Sequence, residues 1–284
     1  MKGGERAVSG TSTTSRRSGR SHGVQSFEIG MRVLQALLAG ERVMMLKEIA
    51  AAAGMPPSKV HRYMVSMVRT GLVEQDPATS LYSLGPFALD IGLVAADRLD
   101  GVGLGLAAIA QLCRQVDEAT ALATWTRNGP VVVRWERSSR PVAISVITGS
   151  ALDVISTASG RVFGAWLPPA AFRHLIDARL EAGSLPRGLR TRSAVDRMFE
   201  QTRRDGMAVV EGGHLSPGVA AISAPVFDHR KEITLAMSVV GIQGLLDTSL
   251  DGIPAHALRS AAQRLSTRLG YRGDAAAAAA RTGT

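Results

Sequence analysis

Val43–Leu84, VMMLKEIAAAAGMPPSKVHRYMVSMVRTGLVEQDPATSLYSL, punctuates itself into two helices, a turn and a hairpin. Leu46, Ile49, Ala50 and Ala53 recur at i, i+3, i+4 and i+7, the spacing of one helix face. Gly54 is suited to a left-handed terminus, and Pro56-Pro57 prevents the same helix from running on. Pro57 can open a second helix, with the Ser58 hydroxyl placed to cap it and Val60, Met64, Met67 and Val68 as its buried stripe. Gly71 ends that helix. Leu72–Gln75 and Leu81–Leu84 then read as two short strands around the turn Asp76–Ser80, a wing.

On a helical wheel the stripe leaves Ser58, Lys59, His61, Arg62, Ser66 and Arg69 facing outward, with Lys47 cationic on the preceding helix. Long donors suit guanine edges and phosphates, and short hydroxyls allow close approach in a major groove. A solvated amphipathic helix would show the same face by itself; the order helix, Gly-Pro turn, helix, Gly, hairpin favours a winged helix-turn-helix.

The charge distribution agrees with a polyanionic partner. The chain has 284 residues and a net charge of +9. Residues 1–70 hold eleven Lys and Arg against four Glu, so seven of the nine surplus charges lie there. Cationic groups that neutralise phosphates release condensed counterions, which makes such binding steeply salt-dependent. The lone Cys113 excludes a disulfide framework and a cysteine-based metal site. The absence of a long apolar run or a signal-like start leads to the expectation of a cytoplasmic protein without membrane contact.

Residues 1–25 read as a disordered basic arm, 26–85 as the DNA-binding domain and 86–101 as an apolar linker helix. Residues 102–272 read as a second domain and 273–284 as a disordered tail. The first domain opens with a helix through Phe27, Ile29, Met31, Val33, Leu34, Leu37 and Leu38. In the second, a helix over 101–116 precedes strands at 120–126, 131–135, 141–146, 220–227 and 233–240, interleaved with helices at 159–166, 169–181, 193–205 and 254–269. This interleaving predicts an α+β sheet domain.

Several segments resemble the IclR family of bacterial transcriptional regulators. Ser26–Leu34 is similar to its opening helix, and Ile49-Ala50, Gly54-Met55-Pro56 and Val60-His61-Arg62 to its helix-turn-helix. Tyr82–Pro86 is similar to its wing, and Gly149–Leu152 with Thr157–Gly160 to the segment that lines its ligand pocket. Pro217–Val219 with Ala221–Asp228, and Met237–Gly241, are similar to its central and last strands. The resemblance implies a GAF-like effector-binding domain for a small organic molecule and a dimer or dimer of dimers; no cofactor is expected from the residues. It also implies Thr157, Ala158, Ser159, Gly160, Glu211, Ala221, Ser238 and Val240 as effector-binding residues. Lys59 stands where that family usually has Ser or Thr, and Met45 where it has a helix cap. Ala221 stands for a cysteine, Glu211 for an aspartate and Val240 for a serine, while Ser238 keeps its hydroxyl. These departures predict an apolar or aromatic ligand with one hydrogen-bonding head, the Ser159 and Ser238 hydroxyls and loop N–H groups acting as donors. The alternative is that these residues pack a core, with Ser238 bonded to neighbouring backbone.

The residues offer little for catalysis or a metal. The six histidines show no metal-binding spacing, Ser156 and Ser159 lie in no G-x-S-x-G elbow, and Glu211 with His214 falls in a Gly-rich loop. The expectation is therefore a ligand-responsive regulator, a non-enzyme that binds duplex operator DNA. Two alternatives stay open: a constitutive DNA-binding protein whose second domain only oligomerises, and an enzyme or ligand-binding protein carrying a remnant helix-turn-helix.

Overall fold

The computed structural model describes residues 23–97, 100–139, 146–183, 185, 187–212 and 218–273. The expected arm (residues 1–22 of it), the tail from 274, the strand at 141–146 as far as 145, and His214 and Pro217 lie outside the described residues. The chain divides into two compact units, Met1–Ala95 and Ala96–Thr284.

The first unit contains α1 (Gln25–Ala39), α2 (Leu46–Ala53), α3 (Pro57–Arg69) and the two-stranded wing β1 (Val73–Gln75) and β2 (Tyr82–Leu84). Gly54 closes α2 at φ +63°, a left-handed conformation that costs a Cβ-bearing residue and not glycine. Met45 lends α2 no side-chain cap; Glu48 reaches back instead, and its Oε2 accepts the Met45 N–H at 2.8 Å. Ser58 does not cap α3 either. The cap position is Pro56, with Pro57 at the first helical residue, so Ser58 falls two residues past the place from which a side chain caps the helix. The core joins Val33, Leu34 and Leu37 of α1 to Ile49, Val60, Met64, Val73 and Tyr82. Val68 departs from the expected stripe. It is exposed and lines a cleft beside the wing, while Tyr63 takes the half-buried place against α1. The wing pairs Val73 with Leu84 and Gln75 with Tyr82, and Met44 adds a bridge to Tyr82. Its turn is held by Asp76, whose Oδ1 accepts the N–H groups of Ala78 (2.7 Å) and Thr79 (3.1 Å). These bonds favour the ionised carboxylate and hold its pKa below the usual 3.8, Thr79 contributing most.

α4 (Pro86–Asp97) follows the wing, within the stretch 86–101 that the sequence reads as a linker helix. The second unit then runs α5 (Gly101–Val116), β3 (Ala119–Thr126), β4 (Gly129–Glu136), α6 (Ala158–Trp166), α7 (Arg173–Glu181), α8 (Arg192–Asp205), β5 (Ala208–Glu211), β6 (Val219–Phe227), β7 (Ile233–Ile242) and α9 (Ile253–Arg268). The strands form one sheet in the order β4-β3-β7-β6-β5, with every described pairing antiparallel. The expected helix over 169–181 is broken: Pro169–Ala171 makes a 3-10 turn, and α7 starts only at Arg173. β5 was not legible in the spacing, because four residues directly after a helix show no alternation to read.

Period-2 alternation sorts the two sheet faces. Ile222, Ala224 and Val226 of β6 with Leu235, Met237 and Val239 of β7 bury against Ile109 and Leu112 of α5 and Leu258 and Leu265 of α9. The opposite face carries Ala236, Ser238 and Val240, and α6 lies across it through Val162 and Phe163. This helix-over-sheet arrangement is the α+β domain that the interleaved elements predict, and it agrees with the GAF-like fold that the resemblance implies.

Candidate DNA-binding face and effector cavity

α3 presents its polar side to solvent. Ser58, Lys59, His61, Arg62, Ser66 and Arg69 are all exposed, as is Lys47 in the first turn of α2. The buried side is fixed by Val60 and Met64, each at 0% exposure, so the outward orientation of Lys59, Arg62 and Arg69 is set by the core and not by their own contacts. Ser66 donates to the Arg62 carbonyl at 3.2 Å, which turns its hydroxyl back along the helix. The face is thus a short cationic ridge on a rigid helix, followed by a projecting wing.

In the second unit a cavity of about 260 Å³ opens between the sheet and the first turn of α6. Thr157, Ala158 and Ser159 line it from α6, and Ala221, Ser238 and Val240 from the sheet. No charged residue lines it among the described residues. Two of the expected residues stand elsewhere. Alternation in β5 gives the cavity side to Val210 and turns Glu211 the other way into solvent, where it accepts a hydrogen bond from Thr248. Gly160 sits one residue too deep in α6, under the 153–154 turn, where a Cβ would overlap the Asp153 carbonyl oxygen and approach the Val154 Cα to 2.6 Å. Its role is to let that turn pass close to the helix.

The cavity wall also takes Ser150, Ala151 and Leu152 from the segment that the resemblance points to, and it adds Ala121, Val132 and Trp135, which the sequence did not single out. They come from β3, β4 and the loop after it, and only the sheet order brings them to α6. Trp135 adds an aromatic surface. Alternation would put Val132 and Trp135 on opposite faces of β4; the irregularity in the β3–β4 pairing at Leu122/Ala123 brings both to the side of Ala121, and nothing local signals it.

Most hydroxyls of the wall are already engaged. Ser156 donates to Asp153 Oδ1 and Thr157 to the Asp153 carbonyl, at 2.7 and 2.6 Å. Thr157 also caps α6 by accepting the Gly160 N–H at 3.0 Å, and Ser150 accepts the Ile147 N–H at 3.1 Å. Ser159 and Ser238 lie 2.8 Å apart, and Ser238 donates onward to Ser223 at 2.9 Å, which donates to the Met237 carbonyl at 3.0 Å. The expectation that Ser159 and Ser238 both offer donors to a ligand is therefore corrected: each is used inside the protein. The Ala158 and Ser159 N–H groups, the first two of α6, have no partner among the described residues and both belong to cavity-lining residues.

A winged helix-turn-helix with a cationic second helix, in one chain with an α+β unit enclosing a small apolar cavity, defines a DNA-binding regulatory protein. Comparison with known proteins makes the family explicit. The IclR helix-turn-helix domain matches residues 26–77, and the C-terminal domain of the bacterial transcriptional regulator IclR matches residues 97–267. The chain belongs to the IclR family of transcriptional regulators. It is similar to the solved structure of Pseudomonas aeruginosa HmgR, with a TM-score of 0.81 and 35% identity over 88% of this chain and 100% of that one. The glycerol operon regulatory protein of Streptomyces griseus is 29% identical over 252 residues, 87% of this chain and 97% of its own. The HTH-type transcriptional regulator KipR of Bacillus subtilis is 27% identical over 233 residues, 80% and 90% of the two chains. These relatives are transcriptional regulators, not enzymes. No described helix is long and apolar enough to cross a membrane.

Proposed function

We propose that the protein is a ligand-responsive regulator that lays α3 in the major groove of a two-fold symmetric operator and changes operator affinity when a small organic molecule fills the α6 cavity. The cationic ridge carries the DNA half of this reading. Arg62 and Lys59 reach base edges or phosphates, His61 and Arg69 flank them, Ser58 and Ser66 allow close approach, and Lys47 adds a phosphate contact from α2. Two copies of α3 in successive major grooves require a homodimer. Large apolar side chains left in solvent within the first unit support one: Phe27 of α1 at 68% exposure, and Leu89 and Leu93 of α4 at 63% and 59%. Pairing of dimers would give the tetramer that the resemblance also allows.

The cavity supports the ligand half. It is slightly below the roughly 300–1,000 Å³ usual for ligand sites, apolar on most of its wall, and uncharged among the described residues, which favours a single-ring or short apolar acid. Its carboxylate is received by the Ala158 and Ser159 N–H groups at the positive end of α6. Effector and operator are then coupled through the linker, by the effector's differential affinity for two arrangements of the DNA-binding units, about 1–3 kcal/mol in typical cases.

Gel shifts and fluorescence anisotropy with the DNA upstream of the protein's own gene test the reading, with and without a panel of aromatic and aliphatic carboxylates. Tight, salt-sensitive binding that one of the acids weakens or strengthens is expected. Combined Lys59→Ala and Arg62→Ala should abolish specific binding and lower the slope of log K against log salt by about 1.8 per DNA-binding unit. Unchanged affinity in that variant overturns the DNA assignment, and a shift indifferent to every acid overturns ligand response.

A further inference from the structure

The three serines Ser159, Ser238 and Ser223 form a hydrogen-bonded line from the cavity into the sheet, and its far end fixes the direction of every proton in it. Ser223 and Ser238 are register partners on β6 and β7, at 0% and 2% exposure. The line ends on the Met237 carbonyl, which can only accept. Ser223 must spend its single hydrogen there, so it accepts from Ser238. Ser238 has then spent its own hydrogen, and the 2.8 Å contact with Ser159 is made by the Ser159 hydrogen. Both Ser159 and Ser238 line the cavity, and the first oxygen of the line, Ser159 Oγ, carries lone pairs and no available hydrogen.

We infer that this line makes the cavity selective for a ligand that brings its own hydrogen-bond donor, a hydroxyl or amine on the body of a small acid, and that Ser223 sets this preference without touching the ligand. The inference rests on the cavity being the effector site. The carboxylate and the donor go to different partners: the carboxylate to the amides that open α6, the donor to Ser159 Oγ. A ligand offering an ether oxygen at the same point faces lone pair to lone pair. It can be accommodated only if all three serines reverse, which costs the bond from Ser223 to Met237. Burying the acceptor unpaired, or breaking that bond, should weaken binding about tenfold relative to the donor-bearing ligand.

Ser223→Ala removes the anchor. Ser238 is then free to donate to Ser159, which frees the Ser159 hydrogen for the ligand, so both proton directions become open. Ser223 does not line the cavity, so a loss of packing would weaken all ligands together and leave their ratio alone.

The test is isothermal titration of the full-length protein with benzoate, 3-hydroxybenzoate and 3-methoxybenzoate, and with their para isomers so that either position can meet Ser159. The wild type should bind one hydroxy acid about tenfold tighter than its methoxy counterpart. In Ser223→Ala that ratio should fall to about one with the benzoate affinity little changed, and Ser159→Ala should lose the ratio by deleting the oxygen itself. Circular dichroism confirms that each variant is folded. Equal wild-type affinity for hydroxy and methoxy acids, or an unchanged ratio in Ser223→Ala, overturns the inference while leaving the effector site standing. Failure of all the acids to bind overturns the effector-site reading for single-ring acids and this inference with it.

Discussion

Replacing Asp153 with asparagine should loosen the turn that forms one wall of the cavity, because that carboxylate ties together four groups. Its Oδ1 accepts the N–H of Ile155 at 3.0 Å, the N–H of Ser156 at 2.7 Å and the Ser156 hydroxyl at 2.7 Å. Its Oδ2 accepts from Arg179 Nη1 on α7 at 2.7 Å, in a pair whose side chains are 28% (Arg179) and 13% (Asp153) exposed. Arg161 is near as well, its Nε and Nη1 donating to the carbonyls of Ile155 and Val209 at 2.8 and 2.9 Å. Burial lowers the Arg161 pKa, and the charge on Asp153 works against that shift. Asparagine keeps an acceptor for the two amides but turns an NH₂ toward the Arg179 guanidinium. One charge-assisted bond is lost, and Arg161 loses a compensating charge. With Arg179 still reaching water, the cost is about 2 kcal/mol, at the lower part of the range for hydrogen bonds to charged groups. For a unit of this size that lowers the unfolding midpoint by about 4–8 °C. All three tryptophans, Trp125, Trp135 and Trp166, lie in the second unit, so intrinsic fluorescence during heating reports on it alone. A midpoint unchanged within 1 °C refutes the reasoning. So does an Arg179→Met substitution that costs as much in the Asp153→Asn background as in the wild type, since a shared bond cannot be lost twice.

Gly160→Ala should destabilise the second unit by about 1–3 kcal/mol through forced displacement of the 153–154 turn, read by the same fluorescence, and unchanged stability would show that the turn yields freely. Asp76 should titrate below 3.8, seen in the amide chemical shifts of Ala78 and Thr79. Because its folded pKa is depressed, its support for the wing is present above the unfolded value and is lost as pH falls through the folded one; a midpoint at or above 3.8 contradicts this. Cys113 is buried, donates to the Arg137 carbonyl at 3.3 Å, and has its pKa raised first by desolvation and then by Glu136. A thiol reagent at pH 8 should label it far more slowly than the denatured chain, and labelling at the denatured rate would refute its burial.

The legible part of the fold is the part governed by neighbours in sequence. Gly54, the Pro56-Pro57 pair and Gly71 fix where α2 and α3 stop and start, because backbone conformation at glycine and proline is a local property. The outward face of α3 follows from helical spacing alone, and six polar residues on it are exposed as that spacing predicts. Val68 was misjudged for the converse reason: spacing says which residues share a face, and how far a core extends around that face depends on α1 and the wing. Ser223 shows the same limit in the second unit. Alternation across Ala220–Phe227 places Ala221 and Ser223 on one side and Ile222 and Ala224 on the other, but the line from Ser223 to Ser159 depends on the β6–β7 register.

What the sequence by itself determined is a winged helix-turn-helix with a cationic recognition face, followed by an α+β domain, since periodicity, helix stops and charge are all short-range features. Only the tertiary structure decided which hydroxyls are spent, that Glu211 and Gly160 stand off the cavity, and that Trp135 and Val132 belong to it. A cavity is the space left between elements distant in the chain, and its polarity depends on which groups those elements have already satisfied in one another.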